Sequence, residues 1–145
     1  MGAADDSSAE VGAREVELVR AAYTQWNEGD LEALSELMAE DVIYQNAPEW
    51  PGQRVYRGSD TVMRFLRDEV FETIALTPVE VVGTEVFGDE ILIELNVHTH
   101  GTISGLDLAK SRLFHVSRVS GGKVVRTRVY LDEQQAIAAA RTGSD

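Results

Sequence analysis

Two polar side chains two positions apart, Tyr44 and Asn46, form a pair that could carry chemistry. Val42, Ile43 and Tyr44 predict a short strand, in which alternate residues share one face. A phenol and a carboxamide converging in a hollow can orient a nucleophilic water or donate hydrogen bonds to an oxyanion. The alternative is that both groups satisfy backbone atoms at the strand end, and without further context that interpretation is the stronger one.

His115 is the second candidate, because a partly buried histidine can act as a general acid or base near neutral pH. Strand alternation places it on one face with Leu113 and Ser117, opposite Phe114 and Val116. Apolarity alone would send Phe114 and Val116 inward. The pattern therefore leaves the face of His115 open.

His98 and His100 share a strand face with Glu94, opposite an apolar face that predicts core. Two histidines at this spacing with a carboxylate could in principle hold a metal ion, but we expect no metal. His98 is kept as an alternative acid or base to His115.

Aromatic residues supply a candidate apolar wall. Tyr23 and Trp26 lie at helical spacing on the first predicted helix, and Trp50 could close a pocket from a loop. Core packing is the favoured interpretation for Tyr23. Four arginines fall on the same face of their predicted strands, namely Arg112, Arg118, Arg126 and Arg128. They could bind a carboxylate, although pairing with acidic residues on the outer sheet face or across a dimer interface is favoured.

Composition excludes several classes of function. The chain has 145 residues and a net charge of −12, a balance that repels nucleic acid and anionic membranes. It has no cysteine, hence no disulfide or thiolate site. No apolar run is long enough for a membrane span, and the acidic N-terminal residues are unlike a leader, so we expect a cytoplasmic protein. Glycine-rich phosphate loops, nucleophile elbows and HExxH motifs are absent from the sequence.

The elements that must position these residues are predicted from periodicity. Residues 1–12 read as a disordered acidic tail, 13–141 as one domain and 142–145 as a second tail. The first helix ends at Asn27-Glu28-Gly29, Asp30 caps a second helix, and Ser59 caps a third. The segment from Ala47 to Arg57 is predicted as a loop.

After Pro78 the period changes to two, which predicts strands near 77–87, 90–100, 108–119 and 123–131. A short terminal helix follows. Helices laid on a curved antiparallel sheet give an α+β cone whose hollow suits a small molecule.

Several strings resemble the SnoaL-like branch of the NTF2-like superfamily, and they are "YTQWNEGDLEALSELMAEDVIYQNAPEWPG", "YRGSDTVMRFL", "SGGKVV" and "RVYLDEQQAI". The resemblance implies a cone-shaped roll with three N-terminal helices enclosing a pocket, often a homodimer. The superfamily includes ketosteroid isomerases, polyketide cyclases and limonene-epoxide hydrolases, so fold alone does not decide function. The chemistry that it implies needs no cofactor or metal.

The string "AEDVIYQNAP" is similar to the limonene-epoxide hydrolases, whose water-holding Tyr-x-Asn falls on Tyr44 and Asn46. The Arg–Asp donor and the acidic base of those enzymes are missing, and the last-strand position falls at Val129 with Thr127 beside it. The ketosteroid isomerase base falls on Asn46, and the second acid of those enzymes falls near His115. Both comparisons place Trp26, Tyr44, Asn46, His115, Thr127 and Val129 on the hollow side.

The leading hypothesis is a SnoaL-like enzyme acting on a small, mostly apolar molecule of polyketide or terpenoid type, by water addition or proton transfer. Epoxide hydrolysis or cyclisation is its most concrete version. In this hypothesis Tyr44 and Asn46 position a water or an oxyanion and His115 or His98 exchanges the proton. Substrate-binding residues are Trp26, Tyr23, Trp50, Phe65, Thr127 and Val129. The alternative, favoured by the missing carboxylates, is a non-catalytic binding or dimerisation module.

Overall fold

The structure is a computed structural model that describes residues 2–50, 52–74, 79–97 and 112–142. Its helices are α1 (Gly2–Glu28), α2 (Leu31–Glu36), α3 (Ser59–Phe65) and α4 (Glu133–Thr142), and a π-helical segment, Leu66–Ile74, continues α3. Its strands are β1 (Met38–Gln45), β2 (Val55–Arg57), β3 (Val79–Phe87), β4 (Glu90–Val97), β5 (Arg112–Ser120) and β6 (Lys123–Tyr130). No helix in these ranges is long and apolar enough to cross a membrane.

The six strands form one sheet in the order β2-β1-β6-β5-β4-β3. Every neighbouring pair is antiparallel except β1 and β6, which run parallel. Register shifts interrupt three of these pairings, between Val81 and Gly83, for example. Such bulges bend strands and increase their twist, which curves the sheet. The predicted α+β class and the mostly antiparallel curved sheet are confirmed.

Both faces of the sheet are covered. The concave face packs against α1, α2 and α3 around residues such as Ile91, Ile93 and Leu95, none of which is more than 1% exposed. The opposite face packs against α4 through Phe114 and Val116. The sequence left the face of His115 open because both sides of β5 are buried, each against its own helices.

The helix boundaries follow local signals in most places. α1 ends where Gly29 takes a positive φ of 75°, a backbone conformation that favours glycine. Asp30 caps α2 as predicted, since its carboxylate accepts a hydrogen bond from the Ala33 amide at 3.0 Å. The predicted Ser59 cap is wrong. The N-cap of α3 is Gly58, at φ 91° and without a side-chain cap, and Ser59 is already helical.

Two further boundaries differ from the prediction. The helical backbone of α1 begins at Gly2, where a tail over residues 1–12 was expected, and the alanines and acidic residues there suit a helix start. The predicted loop from Ala47 to Arg57 contains β2, a three-residue edge strand that pairs with β1. Pro51 and Gly52 are typical of loops, and so short a strand next to them leaves no alternation pattern in the sequence. Residues 98–111, including His98 and His100, lie outside the described residues.

The arginines of β5 and β6 lie on the face opposite the concave one and pair with acids, as predicted. Glu90 is 1% exposed and accepts hydrogen bonds from Arg118, Arg126 and Arg128 at 2.7, 2.8 and 2.9 Å. Burial alone would raise the pKa of the Glu90 carboxyl, but the hydrogen bonds from Arg118 and Arg126 outweigh it and hold that pKa below its usual value. Arg112 contacts Glu94 at 3.1 Å.

Candidate functional site

A cavity of about 110 Å³ lies between the concave face of the sheet, α1, α2 and the loop that follows β1. Cavities of this order accept a single aromatic ring in other proteins. Its apolar lining consists of Val19, Ala22, Trp26, Leu34, Met38, Trp50, Leu66, Val79, Leu95, Leu113, Val124 and Val129. Its polar lining consists of Tyr23, Tyr44, Asn46, His115, Ser117 and Thr127.

The cavity brings together eight of the ten residues predicted for the site, namely Tyr23, Trp26, Tyr44, Asn46, Trp50, His115, Thr127 and Val129. Phe65 lies behind the residues that line the cavity. Its ring stacks on the Tyr56 ring with 4.3 Å between the centroids, and its centroid lies 5.7 Å from that of Tyr44 and 6.4 Å from that of Trp50. His98 lies outside the described residues.

The helix α1 presents one row of side chains to the cavity. Val19, Tyr23 and Trp26 follow each other at steps of four and three, which places them on one helical face. Val19 and Trp26 are 2% and 7% exposed, so this row is both core and cavity wall. The apolar row fixes the rotation of α1 and thereby points Tyr23 at β5.

Tyr23 and His115 form a hydrogen-bonded dyad, with 2.7 Å between the phenol oxygen and Nδ1 of the imidazole. The two ring centroids lie 5.7 Å apart. Sequence reasoning proposed both residues for the site but missed their contact. Alternation along β5 was the signal for His115, whereas its partner lies 92 positions away and follows only from the packing of α1.

Burial keeps both members of the dyad uncharged at neutral pH. It lowers the pKa of the His115 imidazole to about 4, because the imidazolium loses hydration in the cavity. Burial also raises the pKa of the Tyr23 phenol, with a smaller contribution from nearby Tyr44. The shared hydrogen can lie on either atom: the phenol donates to Nδ1 in one tautomer, and Nδ1–H donates to the phenol oxygen in the other.

Tyr44 adds a second phenol to the cavity. Burial raises its pKa, with a smaller contribution from Tyr56, so this group is also neutral. Within the part of the chain that the structure describes, its hydroxyl forms no hydrogen bond. A molecule in the cavity is therefore the partner this phenol can take.

The Asn46 side chain lines the cavity and also bonds to a backbone atom, as in the interpretation that its sequence position favours. Its side-chain amide donates to the Gln53 carbonyl at 3.0 Å, and its backbone amide donates to the Arg54 carbonyl at 2.8 Å. The Arg54 guanidinium in turn donates to the Asn46 carbonyl at 3.0 Å. These bonds close the base of the loop that carries Trp50 to the cavity. The backbone interpretation thus describes the Asn46 amide, while Tyr44 faces the cavity.

Ser117 and Thr127 form a hydroxyl pair on the cavity wall, with 2.9 Å between their oxygens. They are direct neighbours across β5 and β6. Ser117 did not enter the predicted site, although it shares the strand alternation of His115 and could have been found from it.

Among the described residues that line the cavity there is no carboxylate and no arginine or lysine. Among the described residues no group of three or more acidic or histidine side chains is placed to hold a metal ion. The polar groups of the cavity are therefore two phenols, an imidazole, an amide and two hydroxyls, which bind oxygen atoms and exchange protons without carrying charge.

Several solved structures share this fold. A candidate polyketide cyclase from Sinorhizobium meliloti is 18% identical, with a TM-score of 0.65 over 78% of this chain and 93% of that one. A Mycobacterium tuberculosis protein in complex with estradiol-17β-hemisuccinate is 21% identical, with a TM-score of 0.65 over 83% and 95%. TerC co-crystallised with polyporic acid is 17% identical, with a TM-score of 0.68 over 89% and 98%.

At these identities the structural likeness shows the fold alone. A search of the curated proteins finds no match. The model of the SnoaL-like domain, in contrast, matches residues 19–127, a span that contains α1 from Val19 onward and every strand up to β6. By this match the chain belongs to the SnoaL-like domain family.

Proposed function

We propose that the cavity binds a small, uncharged, mostly apolar molecule with a carbonyl or hydroxyl oxygen, and that the Tyr23–His115 dyad moves a proton to or from it. The 2.7 Å contact between the phenol and Nδ1, inside a mostly apolar cavity, carries the proposal. A partly buried phenol and imidazole in contact form a proton-exchange unit, because the imidazole accepts a proton on one nitrogen while the other donates.

The charge state of the cavity supports an uncharged ligand. None of the described residues that line it is charged, since both members of the dyad are neutral at pH 7. A carboxylate placed there would lose its hydration without gaining an ion pair, which costs several kcal/mol. Most of the ligand contact is apolar, so the affinity would come from burial of a ring or chain and the orientation from the polar groups.

The choice between proton transfer and water addition depends on which base is present. Addition of water to an epoxide would need a base to deprotonate the water, and no carboxylate of the described residues lines the cavity. Proton transfer next to a carbonyl needs a base and a donor to the oxygen, and His115 and Tyr44 fit these roles. We therefore rank isomerisation or cyclisation by proton transfer above epoxide hydrolysis.

Names of structural neighbours agree with this class, since one is a candidate polyketide cyclase and two contain organic ligands. A second candidate function is binding without catalysis. The low pKa of His115, about 4, favours it, because so weak a base takes a proton from few carbon acids.

Intrinsic fluorescence provides a direct binding test, because both tryptophans of the chain, Trp26 and Trp50, line the cavity. Small cyclic ketones, phenols and aryl epoxides would be titrated while tryptophan emission is recorded. The matched variants are Tyr23→Phe, which removes the phenol from the cavity, and Tyr56→Phe, which removes one behind Phe65.

Turnover would be followed as deuterium uptake next to the ketone carbonyl in D₂O, and as diol or cyclised product from the epoxides. Exchange that Tyr23→Phe abolishes and Tyr56→Phe preserves supports the enzyme. Binding without any turnover supports the binding module. Unchanged tryptophan emission across the whole panel would overturn both.

A further inference from the structure

The hydroxyl pair of Ser117 and Thr127 is a partly buried polar feature that the proton-transfer dyad does not use. Ser117 is 2% exposed, and both hydroxyls lie on the wall of the mostly apolar cavity. Burying hydroxyls in such surroundings is unfavourable unless their hydrogen bonds are made. The pair therefore calls for an explanation beyond packing.

The pair has more hydrogen-bonding capacity than its mutual contact consumes. Two hydroxyls carry two hydrogens, and only one of them lies between the oxygens 2.9 Å apart. In the described ranges, neither side chain forms another hydrogen bond. The second hydrogen and the remaining lone pairs are thus available to a molecule in the cavity.

The pair is separated from the dyad by a fixed distance along the sheet. His115 and Ser117 are two residues apart on β5 and on the same face, which spaces their backbones by about 7 Å. Val129 pairs with His115 across the strands, and Thr127 pairs with Ser117. Apolar Val129 therefore lies beside His115, and it is two residues from Thr127 on the same strand, β6.

We infer that the Ser117–Thr127 pair is a second hydrogen-bonding subsite, so that the preferred ligand carries two uncharged oxygens at opposite ends of a ring-sized apolar body. One oxygen contacts the Tyr23–His115 dyad and the other contacts the hydroxyl pair. This inference rests on the proposed function, because it concerns the ligand of the same cavity. It adds the spacing and number of the ligand's oxygen atoms, which the dyad alone does not specify.

Two probes of matched shape test the inference. 4-Ethylphenol and 4-(hydroxymethyl)phenol differ by one terminal methyl group replaced with a hydroxyl, at the end opposite the phenol. Dissociation constants would be measured from the indole N–H signals of Trp26 and Trp50 by NMR. The informative quantity is the ratio of the two constants, which cancels effects common to both probes.

Thr127→Val keeps the shape of the side chain and removes its hydroxyl. It should shift the ratio toward 4-ethylphenol by about 5-fold, the effect of one neutral hydrogen bond. Ser117→Ala should shift the ratio in the same direction and serves as the second variant if Thr127→Val fails to fold. Tyr23→Phe should weaken both probes by a similar factor. Thr24→Val, at an exposed hydroxyl on α1, should change neither.

The outcomes separate the two proposals. If both probes bind and neither Thr127→Val nor Ser117→Ala moves the ratio, the second subsite is wrong while the proposed function stands. If Thr127→Val weakens both probes equally and Tyr23→Phe weakens neither, the ligand uses the hydroxyl pair alone and the two-ended ligand is wrong. If neither probe shifts an indole signal in the wild type at millimolar concentration, the inference and the proposed function both fail.

Discussion

His115 offers the most direct test of the reasoning about the cavity, through the pH dependence of folding. Its side chain titrates near 6.5 in an unfolded chain, and burial lowers its pKa to about 4 in the folded protein. Between these two values the unfolded chain binds a proton that the folded protein does not bind. The free energy of unfolding therefore falls as the pH decreases from 6.5 toward 4.

The size of the effect follows from the shift. Each pH unit between the two pKa values corresponds to about 1.4 kcal/mol, so the full shift corresponds to about 3 kcal/mol of lost stability. The contribution is present in full above pH 6.5 and is lost by about pH 4. Carboxylates titrate in the same range, so the effect must be isolated with a variant that does not titrate.

The variant is His115→Gln, which keeps a polar partner for the Tyr23 phenol and has no titratable group. Urea unfolding of both proteins would be measured at pH 7, 5.5 and 4.5. Because the carboxylates are common to both, the wild type should lose stability relative to His115→Gln as the pH falls, approaching about 3 kcal/mol near pH 4. Parallel stability curves, or a His115 imidazole that titrates near 6.5 by NMR, would show that burial does not lower the pKa of His115 and would refute the reasoning.

Two more outcomes are expected. Glu90→Gln should lower the free energy of unfolding by about 3–5 kcal/mol, because it breaks a buried ion-pair cluster. Glu94→Gln, at a partly exposed pair, should lower it by at most about 1 kcal/mol. Equal losses in urea unfolding would contradict the assigned burial of Glu90. Asn46→Ala should cost about 1 kcal/mol for the lost bond to the loop. It should also speed hydrogen exchange at the Trp50 backbone amide, which donates to the Ala47 carbonyl at 3.0 Å; an unchanged exchange rate would mean that other contacts hold that loop.

The sequence predicts the architecture because its signals are local. Alternation along β4 separates the apolar row of Ile91 and Ile93 from Glu90 and Glu94, and the structure buries the first two on the concave face. The end of α1 at Glu28 and the cap at Asp30 are likewise written in neighbouring residues. The expected homodimer has no such local signal and stays a prediction.

The site is harder to predict because its contacts join distant segments. Tyr23 was assigned to core packing, a fair interpretation of helical spacing, since the spacing contains no information about what faces the helix. Its contact with His115 depends on the strand order and on how α1 crosses the sheet. The role of Asn46 depends on contacts with Gln53 and Arg54, which lie on the far side of the loop, and the sequence of that loop does not specify them.

The parallel pairing of β1 with β6 has a consequence for how the protein folds. Strands β3 to β6 each pair with the next strand in the chain. In contrast, Tyr44 pairs with Thr127, and Tyr23 contacts His115, only after a long segment of chain has closed into a loop. Closing such loops is entropically costly and slow. The cavity takes its walls from both sides of this closure, so it is complete only after the closure has formed. A bound ligand would accordingly slow unfolding more than it speeds folding.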